Sequence, residues 1–313
     1  MSPDADSVTV VITTHNRAST VVLAVDSVRS QSHSNIEIVL VDDGSEPPVG
    51  DLGSDVRVVR HDVARGVCAA RNSGVEAGVG HYVVFLDDDD WLPPDAIEHS
   101  LRVIAESTLP DPVAALGSIA VVDDQGDLLE VRCPPTFPRG SAWLFDPRPP
   151  GTTLTVQNTL VVPREVVQEI GGWNENLRAW VHDDFFLRLA RACSLQGTDH
   201  VTYRMLEPTG ARQHVSRQLP ARAAAMEQTL AAHEQAFRSH PRRHGKYLGT
   251  IAVTWLRCGE HRRARAAAWR SFRVDPRRPK AVVQLALALA GPATYARLSR
   301  RRHGTSRTPS QVR

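Results

Sequence analysis

An α/β domain followed by a basic, all-helical part is the fold that this 313-residue sequence predicts, and three observations predict it. Short β-branched runs alternate with helix-spaced apolar stretches over the first hundred residues, the rhythm of β-α-β units with helices on both faces of a sheet. After Pro220 the chain turns rich in Ala and Arg, good helix formers, and poor in β-branched residues. Charge divides at the same place: residues 211–313 carry 22 Lys+Arg against 4 Asp+Glu, whereas residues 1–210 carry 15 against 31. A net charge of only +2 therefore conceals two parts suited to different partners. The expected division is an α/β domain at 1–218, a basic helical domain at 219–300 and a basic tail at 301–313. At ~150 residues per domain the length allows roughly two domains, each with a real core.

Each element has its own warrant. Val8 to Ile12 is apolar on both faces, which suits a buried parallel strand. Val21, Val25 and Val28 recur at helical spacing, with Ser19 placed to cap the start. Ile36 to Val41 reads as a second strand, ended by Asp42-Asp43-Gly44-Ser45 and the turn formers Pro47 and Pro48. Val56 to Val59 is a third strand. A helix beginning near Gly66 runs through Ala69, Ala70 and Val75 to Gly78. Tyr82 to Leu86 is a fourth strand, broken off by four aspartates. Helix 94–106 follows, with Pro93 and Pro94 at its entry. Beyond the first domain, 221–240 and 246–290 read as helical, punctuated by Gly245, Gly259, Pro276 and Pro279. The stretch Gly259 to Pro276 resembles the second helix of a tetratricopeptide repeat, although an array needs three or more units.

Composition excludes several classes. At 42% hydrophobic and 23% charged, the chain is near the globular average and not disordered throughout. The longest weakly polar stretch, Ala281 to Ala293, is 13 residues, short of the ~20 that a spanning helix needs. The first seven residues lack the basic and apolar regions of a signal peptide. Cys68, Cys133, Cys193 and Cys258 are scattered without a CxxC pair, against both a zinc site and a disulfide framework. The expectation is a reduced, cytoplasmic, soluble protein. No GxxxxGK[ST] is present, nor a GxGxxG following a strand.

In parallel α/β sheets ligands sit at the carboxyl ends of the strands, so those ends are where chemistry is expected. Strand one ends in Thr13-Thr14-His15-Asn16, strand two in Asp42-Asp43, and strand four in Asp87-Asp88-Asp89-Asp90. Adjacent carboxylates repel by up to ~4 kcal/mol for a close pair at an effective dielectric near 20. A divalent cation would compensate this, and hard oxygen ligands select Mg²⁺ or Mn²⁺. The alternative is an acidic loop in which Asp90 merely caps the next helix.

These residues resemble a known family. Val11-Ile12-Thr13-Thr14-His15-Asn16, Ile38 through Ser45, Gly66 through Ala70-Arg71-Asn72, and Phe85-Leu86 with Asp87 to Asp90 are similar, in order and spacing, to successive signatures of the family 2 glycosyltransferases. Gly171-Gly172-Trp173-Asn174-Glu175-Asn176-Leu177 resembles the loop before that family's catalytic helix. The resemblance spans about residues 7–215. It implies a GT-A (Rossmann-like) nucleotide-sugar-binding domain, here with a C-terminal helical extension. It also implies transfer of a sugar, usually with inversion, from a nucleotide diphosphate donor to a hydroxyl. A UDP-sugar comes first among the donors, and the acceptor is a carbohydrate or lipid-linked molecule in surface polysaccharide, glycolipid or glycoconjugate synthesis.

Site roles follow from the resemblance. Thr13 and Asp43 stand where the family contacts the nucleoside, and Asn16, Arg71, Asp87 and Asp88 are grouped with them as nucleotide-sugar-binding candidates. Asp87 and Asp89 stand at the acidic positions of a DxD-type motif. Asp89 is the expected direct metal ligand, with Asp87 nearer the ribose or a metal-bound water. The catalytic base departs from the pattern, because the segment reads Val181-His182-Asp183-Asp184-Phe185-Phe186-Leu187-Arg188-Leu189. Aligned on Arg188, the base position falls on His182, with Asp183 one residue later. Both stay open, since a histidine near pKa 6.5 suits the task as well. Asp184 is expected to orient the acceptor or a neighbouring side chain, while capping the helix N-terminus is the plainer role for either acid. His214 is a candidate for a loop over the pyrophosphate or metal. Trp173 and Trp180 suit either sugar stacking or the core.

The Arg-rich second part, through Arg300-Arg301-Arg302, suits an anionic membrane surface on its inner face, and nothing in it resembles a groove-reading nucleic-acid motif. Two other functions stay in view: a sugar nucleotidyltransferase, and a catalytically impaired scaffold, which Val181-His182 in place of an acidic pair would favour.

Overall fold

The computed structural model describes residues 5–207 and 219–290. The chain divides into two compact units, 1–213 and 214–313. The expected boundary after 218 adjoins the undescribed 208–218, and the tail at 301–313 lies outside the described residues, as does His214.

The first unit holds the strands β1 (Val8–Thr14), β2 (Ile36–Asp42), β3 (Val56–Arg60), β4 (Tyr82–Asp87), β5 (Val113–Val122), β6 (Leu128–Arg132), β7 (Leu160–Pro163) and β8 (Ser194–Leu206). Its helices are α1 (Val21–Arg29), α2 (Val67–Ala77), α3 (Ala96–Ala105), α4 (Arg164–Glu169) and α5 (His182–Ala192). They surround one sheet of order β3-β2-β1-β4-β7-β5-β6, with β8 pairing β5. The β3-β2-β1-β4 half is parallel, whereas β7 runs antiparallel to both β4 and β5. The second unit is helical: α6 (Leu219–Ala232), α7 (Glu234–Arg238), α8 (Pro241–Arg257), α9 (His261–Val274) and α10 (Pro279–Leu289).

The four early strands form where the β-branched runs stand, and β1 is apolar and buried on both faces. Val10, Val11, Ile12, Leu40 and Val41 are fully buried. At ~1.5–3 kcal/mol for each large aliphatic side chain removed from water, these strands are the stiff frame behind the site. Gly74 lets α2 lie against that frame, since a Cβ there would stand 2.2 Å from the Val11 side chain.

Three local expectations need correction. Ser19 does not cap α1; Thr20 stands at the N-cap without a side-chain cap bond, its hydroxyl donating instead to the Arg17 carbonyl. Helix α3 begins at Ala96 rather than 94, after a Pro-Pro entry that supplies no amide donors. Gly245 is no break: it lies inside α8, where a Cβ would meet Asp275 at 2.9 Å, so it marks a close helix contact. The other punctuation falls at helix ends, with Gly259 in the left-handed region after α8 and Pro279 opening α10.

Candidate active site

Strand register brings the singled-out ends together. Thr13 pairs with Val41 of β2 on one side and with Asp87 of β4 on the other, and Thr14 pairs with Asp42. The strands run one or two residues past the apolar runs because each polar end finds a backbone partner on its neighbour. The chemistry-bearing residues are thus on rigid strand rather than loop.

The four aspartates alternate. The side chains of Asp87 and Asp89 are 33% and 13% exposed, that of Asp88 only 5%, and Asp90 is buried. Asp88 accepts from the Thr14 hydroxyl at 2.6 Å and from Arg17 Nη1 at 2.9 Å. The same Arg17 nitrogen donates to Asp89 at 2.7 Å. Burial pushes the Asp88 carboxyl up to about 6, against the pull of Thr14 and Arg17. Asp90 receives the Tyr203 hydroxyl at 2.8 Å and the Leu206 amide at 3.0 Å, and burial together with Asp87 and Asp89 raises its carboxyl well above the usual range. Asp87 accepts from Arg71 Nη2 at 2.9 Å and from Asn158 Nδ2 at 3.2 Å. Arg17 and Arg71 thus offset part of the repulsion that the sequence leaves uncompensated.

Asp87 and Asp89 are nonetheless the two more open carboxylates of the run. Among the described residues no group of three or more His, Cys, Asp or Glu is arranged to hold an ion. Two hard-oxygen donors fit Mg²⁺ or Mn²⁺, which takes one or two carboxylates and fills its other positions with substrate phosphate and water.

At the β2 end, Asp43 organises the approach to α2. Its Oδ1 accepts from His61 Nδ1 at 2.7 Å and the Arg65 amide at 2.8 Å, and its Oδ2 accepts from the Gly66 amide at 2.7 Å. Although burial opposes ionisation, these donors hold the Asp43 carboxyl below its ordinary range. Gly66 takes φ 94°, a left-handed value that a side chain rarely adopts, at the entry to α2. The Asn16 backbone is also left-handed, at φ 57°. Its amide donates to Ser45 Oγ at 2.9 Å and its Oδ1 accepts from the Glu46 amide at 2.8 Å, tying the β1 and β2 ends together.

Helix α5 begins at His182, which places Asp183 and Asp184 in its first turn. Arg71, from α2, links this helix to the acidic run: its Nη1 lies 3.4 Å from His182 Nε2 while Nη2 holds Asp87. Burial and then the Arg71 charge push the His182 imidazole down to about 3, far from the 6.5 expected of its type. The ring stays neutral near pH 7 and is a weak proton acceptor. Asp183 Oδ2 accepts from the Trp180 indole at 2.6 Å. Asp184 accepts from Arg188 Nη2 at 2.7 Å, and Arg188 Nη1 reaches the Ile170 and Gly172 carbonyls at 2.6 and 2.7 Å. Asp184 thereby orients an arginine that ties α5 to the glycine loop before it. Trp173 is core: it stacks on Phe185 at 3.9 Å and lies under the Arg71 guanidinium at 4.5 Å.

Sequence reasoning missed Arg17, Asn158 and Tyr203. Arg17 directly follows the strand-one motif, a signal that was readable; Asn158 and Tyr203 carry none, being delivered by a short 3-10 turn (Gln157–Thr159) and by β8.

Residues 9–135 match the family described as glycosyl transferase family 2. The chain is 34% identical over 165 residues to the glucosyl-dolichyl phosphate glucuronosyltransferase of Haloferax volcanii, covering 49% of this chain and 50% of that protein. It is 34% identical over 107 residues to glycosyltransferase GlyA of Streptococcus pneumoniae, covering 32% and 15%. The chain spans half or less of the length of these relatives. Among solved structures, TarS 1–349 of S. aureus in complex with UDP-GlcNAc is similar at a TM-score of 0.59 and 14% identity, covering 93% of this chain and 92% of that one.

Proposed function

We propose, from the premise that the N-terminal domain belongs to the family 2 glycosyltransferases and has the GT-A fold, that the protein moves a sugar from a nucleotide diphosphate donor to a hydroxyl acceptor, with inversion. The observation that carries this reading is Arg71, which joins Asp87 at the acidic strand end to His182 at the head of α5. A cation is thereby fixed between a place for a diphosphate and a place for a base. The likeness to a structure holding UDP-GlcNAc supports a uridine diphosphate sugar as donor. The acceptor is read as a carbohydrate or a lipid-linked molecule.

Thr13, Asn16, Asp43 and Asp88 are read as shaping the nucleoside end, Asp43 through its grip on the His61–Gly66 turn. Asp89, with Asp87, would hold Mg²⁺ or Mn²⁺. That ion, when bound, supplies Lewis-acid stabilisation of the departing diphosphate. Arg71 adds a fixed positive charge on the same side. Asp183 takes the proton from the acceptor hydroxyl as its oxygen attacks the sugar carbon, while the bond to the diphosphate breaks. His182, held near pKa 3, is ill matched to that task, so Asp183 is the base in this reading. His214 remains a candidate for the diphosphate side. Incubation with Mn²⁺ and a panel of nucleotide sugars, followed by measurement of free nucleoside diphosphate, tests the reading. Release of pyrophosphate from a nucleoside triphosphate and a sugar phosphate would instead indicate a nucleotidyltransferase, and no turnover at all would indicate a scaffold.

For the second unit we infer an anionic membrane surface as partner. Helix α9 exposes Arg262, Arg263, Arg265, Arg270 and Arg273 with Trp269, which is 50% exposed and stacked on Phe272. No acid interrupts this helix, and Ala264, Ala267, Ala268 and Ser271 form its buried side. Arginines around an exposed indole match the chemistry of an anionic headgroup layer. Among the described residues no helix is long and apolar enough to cross a membrane.

A further inference from the structure

The loop before α5 turns three times into the left-handed region. Gly171 and Gly172 do so at φ 78° and 65°, where glycine meets no steric obstacle. The third residue is Trp180, at φ 55°, a conformation rare for a bulky side chain. A glycine would serve that backbone better, so what the position requires is the tryptophan side chain. Its indole N–H donates to Asp183 Oδ2 at 2.6 Å, three residues on, across the first turn of α5.

The geometry points to Trp180 as a positioning residue that fixes the Asp183 carboxylate in one rotamer and keeps it ionised; this rests on reading Asp183 as the base. An indole nitrogen only donates and does not titrate, so the hold is the same at every working pH. Asp183 is buried, and burial alone favours the protonated acid, which cannot take a proton from an acceptor. A donor bonded to the charged form works against that. Among the described residues, the charged groups at this end of the site include Arg71 from α2 and Asp87 from β4, together with the Asp184–Arg188 pair on α5 itself, while the His182 imidazole is neutral.

The test compares Trp180→Phe, Trp180→His, Asp183→Asn and the double variant Trp180→Phe/Asp183→Asn, after thermal unfolding shows each to be folded. Trp180→Phe removes the donor and keeps an aromatic ring. Loss of a hydrogen bond to a charged group should lower kcat by about ten- to a hundredfold, with donor KM unchanged. The acid limb of the kcat profile should move up by about one pH unit. Trp180→His, which retains a ring N–H, should recover part of the rate, and it also covers the case in which the Phe variant fails to fold. In the Asp183→Asn background, Trp180→Phe should cost nothing more. The inference is overturned if Trp180→Phe leaves both rate and limb unchanged, or slows Asp183→Asn as much as it slows the wild type. If Asp183→Asn itself turns over normally, the base assignment has failed, and the Trp180 role fails with it for that separate reason.

Discussion

Arg71 donates to Asp87 at 2.9 Å from a guanidinium side chain that is only 4% exposed, while the carboxylate it holds is one third open to solvent. An arginine buried this deeply against a single carboxylate also leans on the Trp173 face, so it is packed as well as paired. Arg71→Met should therefore cost stability as well as turnover. Removing one partner of a fully buried pair costs about 3–5 kcal/mol, and the partial exposure of Asp87 brings the expected loss to about 2–3 kcal/mol. Urea unfolding at pH 7.5 measures it, and a variant as stable as the wild type would show that the pair is not structural.

Asp89→Asn should abolish transfer and weaken donor binding, because the carboxylate proposed to hold the metal is lost. Mn²⁺ binding followed by equilibrium dialysis in the presence of nucleoside diphosphate should fall in parallel. Full activity of this variant, or of the wild type in excess EDTA, would remove the metal from the mechanism.

His182 gives a pH signature. Its folded pKa lies below its unfolded value, so the neutral ring contributes stability that is present above about 6.5 and is lost as pH falls toward the folded value of about 3. Between pH 6.5 and 5 the wild type should lose about 1–2 kcal/mol relative to His182→Gln, a figure discounted because the ring is not wholly sealed from water. Parallel stability curves for the two proteins over that range would contradict the burial of His182. The same shift changes how a rate profile is read. A limb near 6.5 is what an ordinary histidine base would give, but this histidine would titrate near 3, below an ordinary aspartate. Only the Asp183→Asn and His182→Ala variants separate the two, and the aspartate variant should lose about 10²–10⁴ in kcat while the alanine variant loses far less.

Replacing Arg262, Arg265 and Arg273 of α9 with glutamate should remove vesicle binding. Wild-type flotation with vesicles containing anionic lipid should fall steeply between low and high salt, since exposed charges are screened beyond ~8–10 Å. Equal binding to neutral and anionic vesicles, or binding to neither, would remove the membrane from the account.

The strand ends were legible because β1, β2 and β4 are apolar runs that stop abruptly at polar clusters, and parallel pairing aligns such stops on one edge. Their order and spacing also carried the family resemblance. The second half of the sheet, which mixes parallel and antiparallel pairs, was not legible. Strands β5 to β8 take their places from partners far apart in the chain, as in the Ser118↔Val201 to Val122↔Leu206 register, and a local pattern does not encode those. The pairing of Arg17 and Arg71 with particular aspartates of the run also depends on the fold, although Arg71 was already a site candidate and Arg17 directly follows the strand-one motif. Four aspartates in a row read as unbalanced charge until the fold folds two arginines onto them. Trp173 read equally as a sugar platform or as core, and only its 3.9 Å stack on Phe185 decided for core. Gly245 looked like a break because a glycine in a helix and a glycine between helices are the same letter; the 2.9 Å approach of Asp275 tells them apart.

Sugar transfer at the Asp87–Arg71–α5 site can be read out in a single assay. Purified wild type and Asp183→Asn are incubated with Mn²⁺, a UDP-sugar panel and hydroxyl-bearing acceptors, and free UDP and glycosylated product are quantified together. The wild type should give equal amounts of UDP and of anomerically inverted product with at least one donor, and Asp183→Asn should bind the donor normally and give almost no product. Product with retained configuration, or equal turnover by the two proteins, would contradict this mechanism.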